Sequence, residues 1–370
     1  MINGIAAEII KNNPELKQEV HLLLSKSFIP NAASVGEGTI FCQAGLIYKL
    51  RNEAELAFAL GHELAHYYLD HSNSAIKQYV NTVYSKENQH KLKEISRAKY
   101  EQGKMLDEMA KKLTFSTLRH GREHEKEADS LAFIFLKNTR YDAETAIQCL
   151  SSLDSIDNSH FDTEKKLPQY FQFAEFPFQR GWLQKEEGLF GSEKSDFQKK
   201  TAEDDSLKTH PDCLLRLAAV AQLAKAQQVA TKKTAGNAAT FKQLQHQLQY
   251  EAIAYCWAKQ NLGHCLFLSL EMLDEQPNDP YLITSIAKCF LQFYKSQKAH
   301  ELSKVTDLPS YQNEKNYNRL LEFIQNLGRR DYVGVGYYFL KQHQNSCASY
   351  KHFEEALTQL TEAYSVEFKK

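Results

Sequence analysis

The pentapeptide His62-Glu63-Leu64-Ala65-His66 is the feature that most narrows what this chain can become. It lies in a stretch from Asn52 to about His71 whose residues Leu56, Ala59, Leu60, Leu64 and Tyr67 recur on or near one helical face. Glu53 and Glu55 fall in the first turn, where the helix dipole favours acids. On such a helix His62 and His66 are one turn apart on the same side. Both imidazoles then reach a single metal ion, and Glu63 contacts a water on it. Zinc makes that water acidic and polarises a carbonyl, and the glutamate takes and returns the proton, which hydrolyses an amide without a covalent intermediate. The plain alternative is a helix with two surface histidines and a solvated glutamate.

A third ligand is needed. The residue six after His66 is Ser72, so the chain lacks the glycine-containing turn and following histidine that complete some zinc sites. His71, five residues after His66, would face away from the metal if the helix continued, as a helix-end or supporting histidine. The ligand is therefore expected to be an acid from another helix. Glu125-Lys126-Glu127-Ala128-Asp129 places Glu125 and Asp129 one turn apart, one to bind metal and one to accept the free N–H of a ligating histidine. Glu123 and Glu127 compete for the ligand role. The apolar run Leu131-Ala132-Phe133-Ile134-Phe135-Leu136 that follows says that this helix enters the core.

Composition sets the background. A chain of 370 residues is long enough for about two domains. Its 45 Lys+Arg against 46 Asp+Glu give a net charge of −1, which disfavours nucleic acid or an anionic membrane as partner. With only 15 Gly and 8 Pro, helix is favoured over a loop-rich β fold. No apolar run approaches the ~20 residues of a membrane span, and MINGIAAEII does not read as a signal peptide. Seven scattered cysteines with no CxxC pair read as buried thiols, not as a disulfide frame or a cysteine zinc site.

The spacing of Ile5, Ile9, Ile10, Leu16, Val20 and Leu23 mostly suits helix, and a short strand is expected at Thr39-Ile40-Phe41-Cys42 after Gly36-Glu37-Gly38. Residues 75–120 read as exposed helices or a hairpin, 122–137 as a helix, 154–208 as irregular, and a further helix opens near Pro211. The stretch 226–240 reads as a linker. The expected domains are thus 1–225, with the metal site, and a helical 241–370. In the latter, Ala287, Phe290 and Ala299, and again Gly336, Phe339 and Ala348, fit the small-aromatic-small positions of a tetratricopeptide template. A degenerate repeat and an ordinary helical bundle both remain open.

The His62–His66 motif followed by Arg122-x-x-Glu125-x-Glu127-Ala128-Asp129 resembles a zinc endopeptidase family. Its members include the CAAX prenyl endopeptidase, the bacterial heat-shock protease HtpX, the mitochondrial protease Oma and soluble BepA-like enzymes with a helical-repeat tail. Asn31-Ala32, Gly38-Thr39-Ile40 and Gly45-Leu46 match the family's approach to the zinc helix, and His210-Pro211 with Arg216 matches a later signature. The resemblance spans roughly residues 28–220. It implies a mainly α gluzincin domain with a small sheet, holding one zinc per chain through His62, His66 and Glu125. Glu63 is then the general base and Asp129 supports a ligand. Ala132 stands where the family usually has glycine, which would only tighten helix packing.

By the same resemblance His210 is catalytic, near the oxyanion, or an occluding fourth ligand, with an ordinary helix-start histidine as the alternative. Arg216 pairs with Asp129 or Glu127, or is a surface residue. Gly38, Thr39, Ile40 and Phe41 would form an edge strand that receives extended peptide, the alternative being an edge covered by a neighbouring loop. Substrates would be proteins or peptides, and the helical tail would recruit partners. Without a spanning helix the chain falls with the soluble branch, in a bacterial periplasm or envelope, or in the cytoplasm. The rival function is a latent metalloprotease-fold chaperone or scaffold acting through its tail.

Overall fold

A computed structural model describes residues 1–16, 19–97, 102–184, 213–227, 234–310 and 312–368. They form two compact units, Met1–Ile156 with Thr201–Leu248, and Asp157–Lys200 with Gln249–Lys370. The architecture is mainly α-helical with one small three-stranded sheet, all of it in the first unit.

The first unit opens with α1 (Ile2–Asn12), which buries Ile2, Ile5 and Ile9. Asn13 ends it by donating from Nδ2 to Ile9 O at 2.7 Å and to Phe135 O at 3.1 Å. The helical spacing seen as far as Leu23 does not survive, because Pro14 cannot continue a helix. Val20 and Leu23 belong instead to the approach and body of β1 (His21–Ser25).

The sheet order is β1-β3-β2, with β2 at Ala32–Ser34 and β3 at Thr39–Gln43. β1 runs parallel to β3, pairing His21 with Thr39 through Ser25 with Gln43, and β2 is antiparallel, pairing Ala32 with Cys42. The expected edge strand at Gly38, Thr39, Ile40 and Phe41 is therefore corrected: β3 is the central strand, and the edges are β1 and β2. Ile40 and Cys42 point into the core on one face, and both hydrogen-bonding sides of β3 are taken, by β1 and by β2. Gly36, Glu37 and Gly38 all have positive φ (90°, 48° and 72°) and reverse the chain between β2 and β3. A Cβ on Gly38 would lie 2.0 Å from Glu19 O, and one on Gly45 the same distance from Phe28 O, so neither site admits a side chain.

After α2 (Ala44–Lys49), α3 (Glu53–Tyr68) starts at Asn52, whose side chain accepts from Glu55 N at 2.9 Å. Its first-turn acids are buried and partnered. Glu53 Oε1 accepts from Tyr141 Oη at 2.5 Å and Arg140 Nη2 at 3.0 Å, and Glu55 Oε2 from Arg51 N at 2.8 Å. α4 (His71–Val83) and α5 (Lys86–Arg97) follow, and the helix expected at 122–137 is the second half of a longer α6 (Gln102–Lys137). α3 and α6 cross closely at Gly61, where a Cβ would meet Ala132 Cβ at 3.8 Å. Alanine at 132 thus fits the crossing without crowding. α7 (Thr145–Asp154) and α9 (Cys213–Ala226) complete the surround of the site. The described residues 234–237 of the stretch read as a linker are tied down, with Thr234 bridged to Tyr141 and Asn237 N donating to Glu53 Oε2 at 2.9 Å.

The second unit is helical. The expectation of an irregular 154–208 is revised for its described part: α8 (Thr163–Tyr170) lies there, with Phe161, Leu167, Phe171, Phe173 and Trp182 buried. Phe171 packs against Phe290 (5.2 Å between centroids), Phe339 (5.6 Å) and Phe323 (5.9 Å). α10 (Ala238–Ala258) contains the division between the units. It is followed by α11 (Leu262–Glu275), α12 (Pro280–Lys298), α13 (Lys315–Asn326), α14 (Arg329–Cys347) and α15 (Lys351–Phe368). A Cβ on Gly336 of α14 would come within 3.1 Å of Phe290 Cβ on α12, so small and aromatic template positions meet each other. No helix among the described residues is long and apolar enough to cross a membrane. All seven cysteines are buried.

Candidate metal centre

The site forms where the α3–α6 crossing places His62 and His66 opposite Glu125 and Asp129. His62 Nε2 and His66 Nε2 are 3.0 Å apart, Glu125 Oε1 is 3.2 Å from His66 Nε2, and Glu125 Oε2 is 3.4 Å from His62 Nε2. One ligand atom from each of these three residues lies within 4.8 Å of the others. Tetrahedral zinc with bonds of about 2.0–2.1 Å needs ligand atoms roughly 3.3 Å apart, so the donor set fits that ion with almost no rearrangement.

The surroundings also fix which nitrogen faces the shared point. His62 Nδ1 lies 2.8 Å from Asp129 Oδ1. Asp129 is held in turn by a two-pronged ion pair, accepting from Arg216 Nε on Oδ2 at 2.7 Å and from Nη2 on Oδ1 at 2.8 Å. Arg216 Nη1 also reaches Glu125 Oε2 at 2.8 Å. Arg216 is 3 % exposed, so of the readings open in the sequence the structure selects the buried pair. Its partners are Asp129 and Glu125, not Glu127.

Burial works against charge on His62, but Glu125 and Asp129 outweigh it and push its pKa up to about 10. Burial likewise opposes the carboxylates of Glu125 and Asp129. His62, His66 and Arg216 hold Glu125 well below the usual range, and Arg216 with His62 lowers Asp129. Glu63 moves the other way: burial raises its pKa, only partly offset by His62 and His66. A carboxylate tuned upward beside a metal site is suited to accept a proton.

Ser34 N, on β2, donates to Glu63 Oε2 at 2.7 Å, and Ser34 O accepts from Ser72 Oγ at 3.2 Å. The antiparallel pairing with β3 turns the backbone polar groups of Ala32 and Ser34 away from β3, and those of Ser34 are the ones taken by Glu63 and Ser72. This contact was not foreseen in the sequence, where a three-residue strand carries little signal.

His71 departs from the simple helical expectation. α3 ends at Tyr68, Asp70 takes a left-handed conformation (φ 54°, ψ 35°), and His71 opens α4. That turn brings His71 back, with Nδ1 at 2.9 Å from His66 Nδ1 and Nε2 at 3.2 Å from Glu127 Oε2. Its ring stacks on His124 at 4.1 Å. Of the acids competing for the ligand role, Glu127 is thus engaged with His71. His210 lies outside the described residues.

No curated protein is significantly similar to the chain. The profile of peptidase family M48 matches residues 4–224, a span that contains every described residue of the site. The peptidases of this family depend on zinc. On that match the chain belongs to peptidase family M48, the zinc metallopeptidases.

Proposed function

We propose that the chain is an endopeptidase that hydrolyses peptide bonds of protein substrates, with His62, His66 and Glu125 holding one zinc ion. Bound there, zinc would supply Lewis acidity to a scissile carbonyl and to water. The observation that carries the reading is the convergence of three donor atoms at tetrahedral spacing, with Glu63 close enough to interact electrostatically with all three ligand residues.

Each remaining step belongs to the protein. Asp129 accepts a hydrogen bond from His62 Nδ1–H, keeping the proton on that nitrogen and so leaving Nε2 bare to bind. Arg216 orients Asp129 and Glu125 together. Glu63 accepts a proton from the attacking water and returns it to the leaving amine. β2 takes the role first expected of β3, pairing an extended substrate through the outward backbone groups of Ala32, next to Ser34 and Glu63. The second, helical unit recruits partner proteins. His210, assigned by the same family motif as Arg216, supports the oxyanion or blocks the site.

Metal analysis of purified protein together with Glu63→Gln tests this reading. The expected result is about one zinc in both proteins, and proteolysis of casein or an unfolded envelope protein reduced roughly 10²–10⁴-fold in the variant. A zinc-loaded wild type with no peptidase activity on either substrate would favour the scaffold function. His210→Ala separates its two roles: faster cleavage indicates self-inhibition, and slower cleavage indicates catalysis.

A further inference from the structure

We infer that His71 is a positioning residue for the metal ligand His66, the middle member of a hydrogen-bonded chain running Glu127–His71–His66 to the zinc site. The inference rests on the zinc-peptidase reading above and assigns a role to residues outside its ligand set.

The geometry allows one arrangement of protons. His66 aims Nε2 at the point it shares with His62 and Glu125, so a ligating His66 carries its proton on Nδ1. The atom 2.9 Å from that Nδ1 is His71 Nδ1, which must then be bare to accept it. The proton of His71 sits on Nε2, 3.2 Å from Glu127 Oε2, which accepts. Every polar ring atom of His71 is used once in this chain.

The ring is also held in place. His71 is 5 % exposed and stacked against His124 at 4.1 Å with an interplanar angle of 9°. Its position depends on the left-handed Asp70, whose Oδ1 accepts from Asn73 Nδ2 at 2.5 Å. A continuous helix would have left His71 about 140° around from His66. The break in the helix is what lets residue 71 reach back to the ligand of residue 66. Aspartate tolerates that backbone conformation better than most residues.

The test compares zinc affinity, by competition with a chelator, in wild type, His71→Leu, His71→Asn and His71→Gln. Asparagine places an acceptor oxygen near the Nδ1 position and preserves the bond to His66, whereas glutamine reaches only the Nε2 position and preserves the bond to Glu127. The expected result is a 10–100-fold weaker affinity in His71→Leu, the range for lost partners of ligating histidines. Recovery should be larger with Asn than with Gln. The visible spectrum of the cobalt-substituted protein should shift in the Leu variant and return toward wild type in Asn. Urea unfolding of the metal-free variants checks that the fold is unchanged, since a purely structural role would move that midpoint and not the Asn–Gln order.

Wild-type zinc affinity in His71→Leu, or better recovery by Gln than by Asn, overturns the inference while leaving the peptidase reading intact. A wild type that binds no zinc overturns both.

Discussion

The two histidines of the motif are supported in opposite ways. Behind His62 stand Asp129 and Arg216, whose side chains are 2 % and 3 % exposed and which are locked to each other by two hydrogen bonds drawn from α6 and α9. Behind His66 stand His71, at the start of a new helix, and Glu127, whose side chain is 64 % exposed. The inner support is part of the core and joins three helices, so it couples metal binding to folding. The outer support rests on a turn and an exposed carboxylate, so it adjusts the metal with little hold on the fold. The contrast teaches that one helical motif, symmetrical in sequence, is asymmetrical in energetics once its surroundings are built.

The largest break in this contrast is Arg216→Met. It leaves Asp129 and Glu125 without their shared cation in a buried site, and removing one partner of a buried pair costs about 3–5 kcal/mol. Urea unfolding of metal-free protein should register that loss, while His71→Leu in the same assay should not. Asp129→Asn is the next in size. Asparagine can present an N–H where His62 needs an acceptor, so zinc affinity should fall roughly 10–100-fold, and unlike His71→Leu the variant should also be less stable.

A pH series separates the arms without mutation. His62 is raised from its ordinary 6.5 to about 10. A raised pKa contributes stability that is full below 6.5 and is lost as pH climbs through 10, so metal-free protein should weaken over that interval. Zinc must displace the same proton from His62, so its affinity should tighten about tenfold per pH unit from pH 7 towards 10. The two trends run in opposite directions. Chelator competition and urea unfolding at pH 7, 8 and 9 would read both, and a flat zinc affinity above pH 7 would contradict the inner-arm assignment.

The inner arm was legible in the sequence because it is helical. His62 with His66, and Glu125 with Asp129, are i, i+4 pairs, and that spacing carries over unchanged into three dimensions. Arg216 was placed only through a family motif, and its choice of Asp129 and Glu125 over Glu127 depends on how α9 packs, which no local pattern encodes. The outer arm was hidden because a single residue, Asp70, breaks the helical count at His71. The sheet misled for a related reason. Thr39 to Cys42 has the composition of a strand, but whether a strand is central or at an edge is set by partners elsewhere, here His21–Ser25 and the very short Ala32–Ser34. In the second unit Phe171, Phe173 and Trp182 follow no helical period in the chain, so their burial came from packing that periodicity does not report.

The smallest effect sharpens the comparison most. Glu127→Gln keeps an oxygen that accepts from His71 Nε2 and removes only a charge, and that charge is well exposed. His71 is neutral in this chain, so what is lost is the pull of an exposed charge on the site. On the scale of exposed charge interactions, about 0.2–1 kcal/mol, zinc affinity should weaken by no more than roughly fivefold. The decisive readout is the salt dependence. Water and counterions already screen Glu127, so the difference between Glu127→Gln and wild type should shrink as ionic strength rises from about 0.01 M to 1 M, where the screening length falls from about 30 Å to about 3 Å. The Asp129→Asn deficit, arising where water is excluded, should persist across the same series. Equal salt sensitivity of the two variants would mean that both supports are wet, and the asymmetry drawn between His62 and His66 would not hold.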